Sequence, residues 1–276
     1  MVWIIWTKGR LSPEKKLAIA IGDRALEHGL GLFETLRTWN GRAPLLDRHV
    51  ARIRSSAREL GISIHPTALP DDEAVAQLLR ANGVVGDARL RITATGGLVG
   101  AAVVWMRCEP FAAMATKDGA TLVPASWPIV FDDPLVRHKS LNYWSRRLAF
   151  EEARRLGVDE ALFSTPDGRV WEGSRTNLFL VRDETLWTPG LDGPIVPGIM
   201  RGLVLERAPT LGLAIREGDL SGTDLVEADE VFLTNAVRGI IPVAGALGRV
   251  FKSPGHWTRR LQEATVKWLV REGVRQ

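Results

Sequence analysis

The chain has 276 residues, 45% apolar and 25% charged, which is enough apolar side chain for one or two ordinary cores and excludes a disordered composition. Its 36 basic residues are interspersed with 32 acidic ones and form no basic block, so the net charge of +4 describes a mildly basic surface and gives no ground for a nucleic-acid partner. A single cysteine, Cys108, excludes an internal disulfide framework and a Cys-rich metal site, and fits a reducing cytoplasm.

Residues 1–6 are apolar but too few for a signal segment, and no basic stretch precedes them. They read as a first strand turning over Thr7-Lys8-Gly9-Arg10, and no apolar run in the chain is long enough to span a bilayer. Residues 17–21 read as a second short strand. Asp23-Arg24 opens a turn into a strand over 32–39, where Gly29 and Gly31 allow close backbone approach and Asn40-Gly41 forms a hairpin turn. Val50, Ile53, Ala57 and Leu60 recur at helical spacing and predict a helix over 48–60 stopped by Gly61; Ala74, Val75, Leu78 and Leu79 predict another over 71–81. Leu90, Ile92 and Ala94 alternate with Arg89, Arg91 and Thr93, predicting a half-buried strand, and 101–106 predicts one more. These elements make a smaller N-terminal domain over residues 1–109, and the proline-led segment 110–119 reads as a linker.

Residues 120–276 make the larger domain. It opens on a strand over 121–126 and a helix over 142–156 stopped by Gly157. A hairpin follows, turning at Thr165-Pro166-Asp167-Gly168, with Glu172 at the end of its second strand. Strands over 177–181 and 186–187, a helix introduced by Pro197-Gly198, and a buried strand over 228–234 come next. The last helix, 257–271, carries Trp257, Leu261, Ala264, Trp268 and Leu269 toward one side, the pattern of a docked surface helix rather than a membrane-surface one.

Chemistry concentrates at Arg137-His138-Lys139-Ser140-Leu141-Asn142-Tyr143 and, 33 positions beyond the lysine, Glu172. A lysine amine attacks aldehydes only when part of it is neutral, and neighbouring cations with burial lower its pKa, so Lys139 is a candidate Schiff-base lysine. An arbitrary lysine is a solvated one by roughly twenty to one, so the assignment needs context. The context is Gly31-Leu32-Phe33-Glu34-Thr35-Leu36-Arg37, Arg48-His49-Val50-Ala51-Arg52, Glu172-Gly173-Ser174-Arg175-Thr176-Asn177 and Pro197-Gly198-Ile199-Met200-Arg201, in unbroken order. The five histidines show no metal-ligand spacing, and no metal is expected.

These motifs together resemble the class IV aminotransferase family, pyridoxal 5′-phosphate enzymes of fold type IV. The resemblance implies an α+β, two-domain architecture: a small N-terminal α/β domain and a larger C-terminal β-barrel-like domain with helices that carries the lysine. It implies that Lys139 forms the Schiff base and moves the proton, and that Glu172 pairs with the pyridine nitrogen. Arg52 matches the phosphate-binding arginine, with Arg48 as its alternative. Ile199 and Met200, at a helix start whose N–H groups suit an anion, and Asn235-Ala236 match the remaining phosphate contacts. Tyr143, the only tyrosine, lies four residues after Lys139 and matches a cofactor contact of some members. Arg37, Arg91 and Arg238 are candidate partners for a substrate carboxylate. A homodimer acting on a small amino substrate is also implied, with no nucleic acid and no membrane. The family divides into transaminases and 4-amino-4-deoxychorismate lyase. The Asn235-Ala236 pair resembles the lyase version, so lyase activity, yielding pyruvate and 4-aminobenzoate for folate biosynthesis, is the first expectation. Transamination of a branched-chain or D-amino acid is the alternative.

Overall fold

The computed structural model describes residues 3–98, 101–111 and 119–275. They fall into two compact units: one takes in the described residues up to 111 together with 138–142 and 268–275, the other 119–137 and 143–267.

In the first unit β1 (Ile4–Thr7) and β2 (Arg10–Pro13) form a hairpin over Lys8 and Gly9, both at positive φ. They are followed by α1 (Arg24–His28), β3 (Gly31–Arg37), α2 (Leu46–Glu59), α3 (Asp72–Ala81), β4 (Ala88–Thr95) and β5 (Val104–Pro110). The sheet is antiparallel in the order β2-β1-β5-β4-β3. Leu90, Ile92 and Ala94 of β4 join one core with Ile53 and Ala57 of α2 and Val75, Leu78 and Leu79 of α3, the faces that periodicity predicts. Asp71 caps α3 by accepting from Ala74 N (2.9 Å).

Three expectations are corrected. Residues 17–20 form no strand, because they alternate between exposed and half-buried and have no ladder partner. The strand expected over 101–106 is β5, shifted to Val104–Pro110 by its register with β4 from Ala94↔Val104 to Ala88↔Pro110. Thr93, placed by alternation on the polar face, is buried. Of the expected linker, 112–118 lies outside the described residues.

The segment His138–Asn142, which the sequence reading puts in the second domain, packs with the first unit. Phe33 N donates to Lys139 O and Leu141 N donates to Gly31 O, both at 2.8 Å, so the lysine segment runs as an extra strand rung beside β3. Gly31 is needed for this approach: a Cβ there would lie 2.6 Å from Ala94 O and from Leu141 Cδ1.

The second unit contains β6 (Ala120–Pro124), α4 (Trp144–Arg155), β7 (Glu160–Ser164), β8 (Arg169–Gly173), β9 (Asn177–Arg182), β10 (Thr185–Thr188), α5 (Ile199–Arg207), β11 (Ala214–Glu217), β12 (Leu220–Ser221), α6 (Gly222–Glu227), β13 (Glu230–Asn235), β14 (Gly239–Ala246) and β15 (Arg249–Val250). The last helix, α7 (His256–Arg275), belongs to this unit up to residue 267. The pairings β9-β13-β14-β6-β7-β8 return to β9, closing a six-stranded ring in which β14–β6 and β6–β7 are parallel. The closing rung is Glu172↔Asn177.

All six strands contribute to the ring's interior, including Leu122, Leu162, Val170, Leu178, Leu180, Val231, Leu233, Ile241 and Val243. The intervening residues Phe179, Val181 and Phe232 turn outward onto Val204 and Ala208 and onto Leu261 of α7, with the Phe179 and Phe232 rings stacked 4.9 Å apart. Burial on both faces is why Leu178–Val181 reads as an unbroken apolar run. No helix among the described residues is long and apolar enough to cross a membrane.

Candidate active site

In the first unit, Lys139 Nζ lies 4.5 Å from the Phe33 ring centroid, and the Arg91 guanidinium lies 4.0 Å from the same ring. The strand pairing that carries Lys139 past β3 thus brings together an amine and a guanidinium on one aromatic side chain. His138 turns away onto Ser56 Oγ (2.9 Å).

Arg52 sits one turn along α2 from His49, and both meet Glu34 of β3. Arg52 donates from Nε to Oε1 (2.8 Å) and from Nη2 to Oε2 (2.5 Å), while His49 Nδ1 is 2.7 Å from Oε2. Glu34 and His49 are buried. Burial alone would push the Glu34 carboxyl up, but Arg52 foremost and His49 hold it at about 2. Burial pushes the His49 imidazole down against the Glu34 charge, and the Arg52 and Lys139 cations push the same way, so His49 meets Glu34 as a neutral N–H donor.

Sequence reasoning singles out Arg52 but misses Glu34 and His49. The signal was a strand acid followed by His-x-x-Arg on one helix face. Arg48, the alternative to Arg52, instead lies 5.9 Å from the Trp268 ring. Arg37 is also placed apart from Arg91: it binds Asp87 (Nη2 2.5 Å) between the rings of Trp39 and Phe111, at 4.0 and 4.4 Å.

In the second unit, Glu172 is 2% exposed and accepts from Arg146 Nη2 (2.5 Å), Asn177 Nδ2 (3.2 Å) and Val196 N (3.2 Å). Burial disfavours the Arg146 cation, yet the Glu172 charge outweighs it and Arg146 titrates above its ordinary value. Tyr143 precedes α4 and donates from Oη to Ser174 O (2.9 Å), in the turn next to Glu172. Its phenol is pushed up by burial.

Gly198 is the N-cap of α5 and offers no side-chain cap, leaving first-turn N–H groups, including those of Ile199 and Met200, for another acceptor. A Cβ at 198 would strike Asn177 Oδ1, which ties this helix start to the residue paired with Glu172. Asn235 ends β13, and its Oδ1 accepts from Val237 N (3.1 Å) and Arg238 N (2.8 Å), folding the Asn235-Ala236 loop. Beside it Thr234 Oγ1 is buried and finds no hydrogen-bond partner among the described residues. Arg146, whose side chain is buried, is not singled out by the sequence reading, since nothing in its spacing separates it from Arg147, Arg154 and Arg155 on the same helix.

In kind, the groups that a phosphorylated pyridine aldehyde requires are present: an amine in the first unit and, in the second, a buried acid flanked by its donors, an uncapped helix start and an orphaned hydroxyl beside the last loop. The family model "Amino-transferase class IV" matches residues 31–246, and the chain belongs to that family. A putative branched-chain-amino-acid aminotransferase of Methanocaldococcus jannaschii is 32% identical over 273 residues, 94% of each chain. An aminodeoxychorismate lyase of Bacillus subtilis is 29% identical over 254 residues, 87% of this chain and 85% of that one.

Among solved structures, the branched-chain aminotransferase of Thermoproteus uzoniensis with norvaline superposes with a TM-score of 0.90 at 30% identity, covering 99% of this chain and 96% of that one. The T.th. branched-chain amino acid aminotransferase complexed with N-(5′-phosphopyridoxyl)-L-glutamate does so with a TM-score of 0.88 at 28% identity, covering 99% and 95%. The chain is a pyridoxal 5′-phosphate-dependent enzyme of fold type IV, as the motif resemblance implies.

Proposed function

We propose that this enzyme is an amino-acid transaminase, moving the amino group of a small, branched-chain type amino acid to a 2-oxo acid. The sequence reading placed lyase activity first; the observation that reverses this order is the likeness, along nearly the whole chain, to proteins described as branched-chain aminotransferases. Lyase activity stays as the second reading, favoured by Asn235-Ala236 and by the Bacillus subtilis relative.

When bound, the cofactor supplies an electron sink for the carbanion formed at the substrate's α-carbon. Lys139 would hold the cofactor through its amine and serve as the general base, and the Arg91 guanidinium on the same Phe33 ring would take a substrate carboxylate. Glu172, gripped by Arg146, Asn177 and Val196 N, would be the acid that keeps the cofactor's ring nitrogen protonated. Arg52, fixed by its fork on Glu34, would supply charge to the phosphate, the α5 start and Asn235-Ala236 would give backbone N–H groups to it, and Tyr143 would be a contact of the cofactor's ring. Arg238 and Arg37, the latter paired with Asp87, stay candidates for a second carboxylate. A homodimer in a reducing cytoplasm belongs to the same reading.

The test offers the purified enzyme a branched-chain amino acid and a 2-oxo acid, and separately aminodeoxychorismate alone. We expect amino transfer that depends on the oxo acid. Lys139→Ala is expected to lose the visible absorbance of the bound cofactor and more than about a thousandfold in rate. Release of pyruvate from aminodeoxychorismate with no added oxo acid, and no amino transfer, would reverse the assignment.

A further inference from the structure

Glu160, at the start of β7, is a buried acid that none of the roles above uses. Its carboxylate faces the turn between β8 and β9. Oε1 accepts from the Ser174 hydroxyl in a short hydrogen bond, from Ser174 N (3.2 Å) and from Ala161 N (3.1 Å); Thr176 Oγ1 lies 3.4 Å from Oε2, and Arg175 Nε 3.9 Å from it. Gly173 comes so close that a Cβ there would lie 2.9 Å from Glu160 Cγ and would strike Thr176 Oγ1.

This turn matters because of what stands at its ends. Glu172 and Asn177 flank it and pair across it, and Ser174 O, inside it, accepts from the Tyr143 hydroxyl. One side chain on a neighbouring strand therefore holds the loop from which both the ring acid and the tyrosine take their positions. Burial pushes the Glu160 carboxyl up, and Arg175, whose guanidinium stacks 3.3 Å from the Phe150 ring centroid, is the nearest cation that opposes this. A glutamine with its amide oxygen at the Oε1 position keeps the three contacts made there, but it loses the charge that faces Arg175 and turns an NH2 toward that guanidinium.

We propose that Glu160 is a positioning residue for cofactor binding, setting the Gly173–Thr176 turn so that Glu172 and Tyr143 stand where the cofactor's ring needs them. This rests on Glu172 being the ring acid.

The chain's only tyrosine provides a readout separate from activity. Fluorotyrosine incorporated at 143 gives a single ¹⁹F resonance in the cofactor-free protein, and quenching of tryptophan fluorescence gives the affinity for pyridoxal 5′-phosphate. Glu160→Gln is expected to shift that resonance and weaken cofactor binding about tenfold, the equivalent of one charged hydrogen bond, while circular dichroism stays native. An unmoved resonance with unchanged affinity overturns the proposal. Should Glu160→Gln not fold, Ser174→Ala, which deletes only the hydroxyl on the same carboxylate, decides by the same two readouts. Glu172→Gln separates the two levels. If it leaves affinity and the bound cofactor's spectrum unchanged, the reading of the ring acid fails. If it changes them while Glu160→Gln moves neither readout, only the present inference fails.

Discussion

Glu34 shows how a single residue ties the fold to the chemistry. Its carboxyl is held at about 2 against an ordinary 4.5, and the neighbouring His49 is kept neutral by burial. Both shifts are downward, so in both cases the unfolded chain binds more protons, and acid takes stability away. The loss begins as pH falls below the ordinary histidine value, steepens below 4.5 as Glu34 begins to differ, and is complete near 2. The Glu34 part amounts to about 3 kcal/mol. Urea unfolding across this range is expected to show it, and Glu34→Gln to remove the lower step. At neutral pH that variant costs about 3 kcal/mol, because Arg52 loses the charge it was folded against. Arg52 was legible in sequence from its helix motif. Glu34 was not, since an acid at an inward strand position breaks the apolar pattern and shows its reason only when the helix is laid across it.

At the scale of elements, sequence periodicity gave α2 and α3 with their buried faces, because each has one face in a core and one in water, and it gave β4, whose last four residues are buried on both faces. The 165–168 turn was equally plain from its Pro-Asp-Gly chemistry. What periodicity could not give was β12, a strand of two residues, or the parallel partnership of β14 with β6, since neither leaves a local signature. The start of α7 is a further case. Glu230, at the head of β13, accepts from Trp257 N (2.8 Å), Thr258 N (2.7 Å) and Thr258 Oγ1 (2.7 Å), so the helix is capped by a carboxylate far upstream in the chain. Gly255 leaves it room, since a Cβ there would collide with Glu230. Glu230→Ala is expected to cost about 1–2 kcal/mol, read as a lowered urea midpoint with faster amide exchange at Trp257 and Thr258.

Across the whole molecule, Lys139 and Glu172, to which we give chemical roles only as a proposal, sit on strand pairings of their own units rather than on free surface. Lys139 is on a strand rung beside β3, and Glu172 is half of the rung that completes the six-stranded ring. Asn177, the other half, donates to Glu172 and to Val196 O (2.9 Å) and touches the start of α5. Asn177→Asp would set carboxylate against carboxylate, and is expected to cost about 2–4 kcal/mol and to weaken cofactor binding in parallel, checked by urea unfolding and fluorescence titration. An alanine scan that reached position 172 would therefore undo a clasp while also deleting a charge. Dead enzyme from that swap would say little about electronics; only an isosteric amide keeps the fastening shut while switching the charge off.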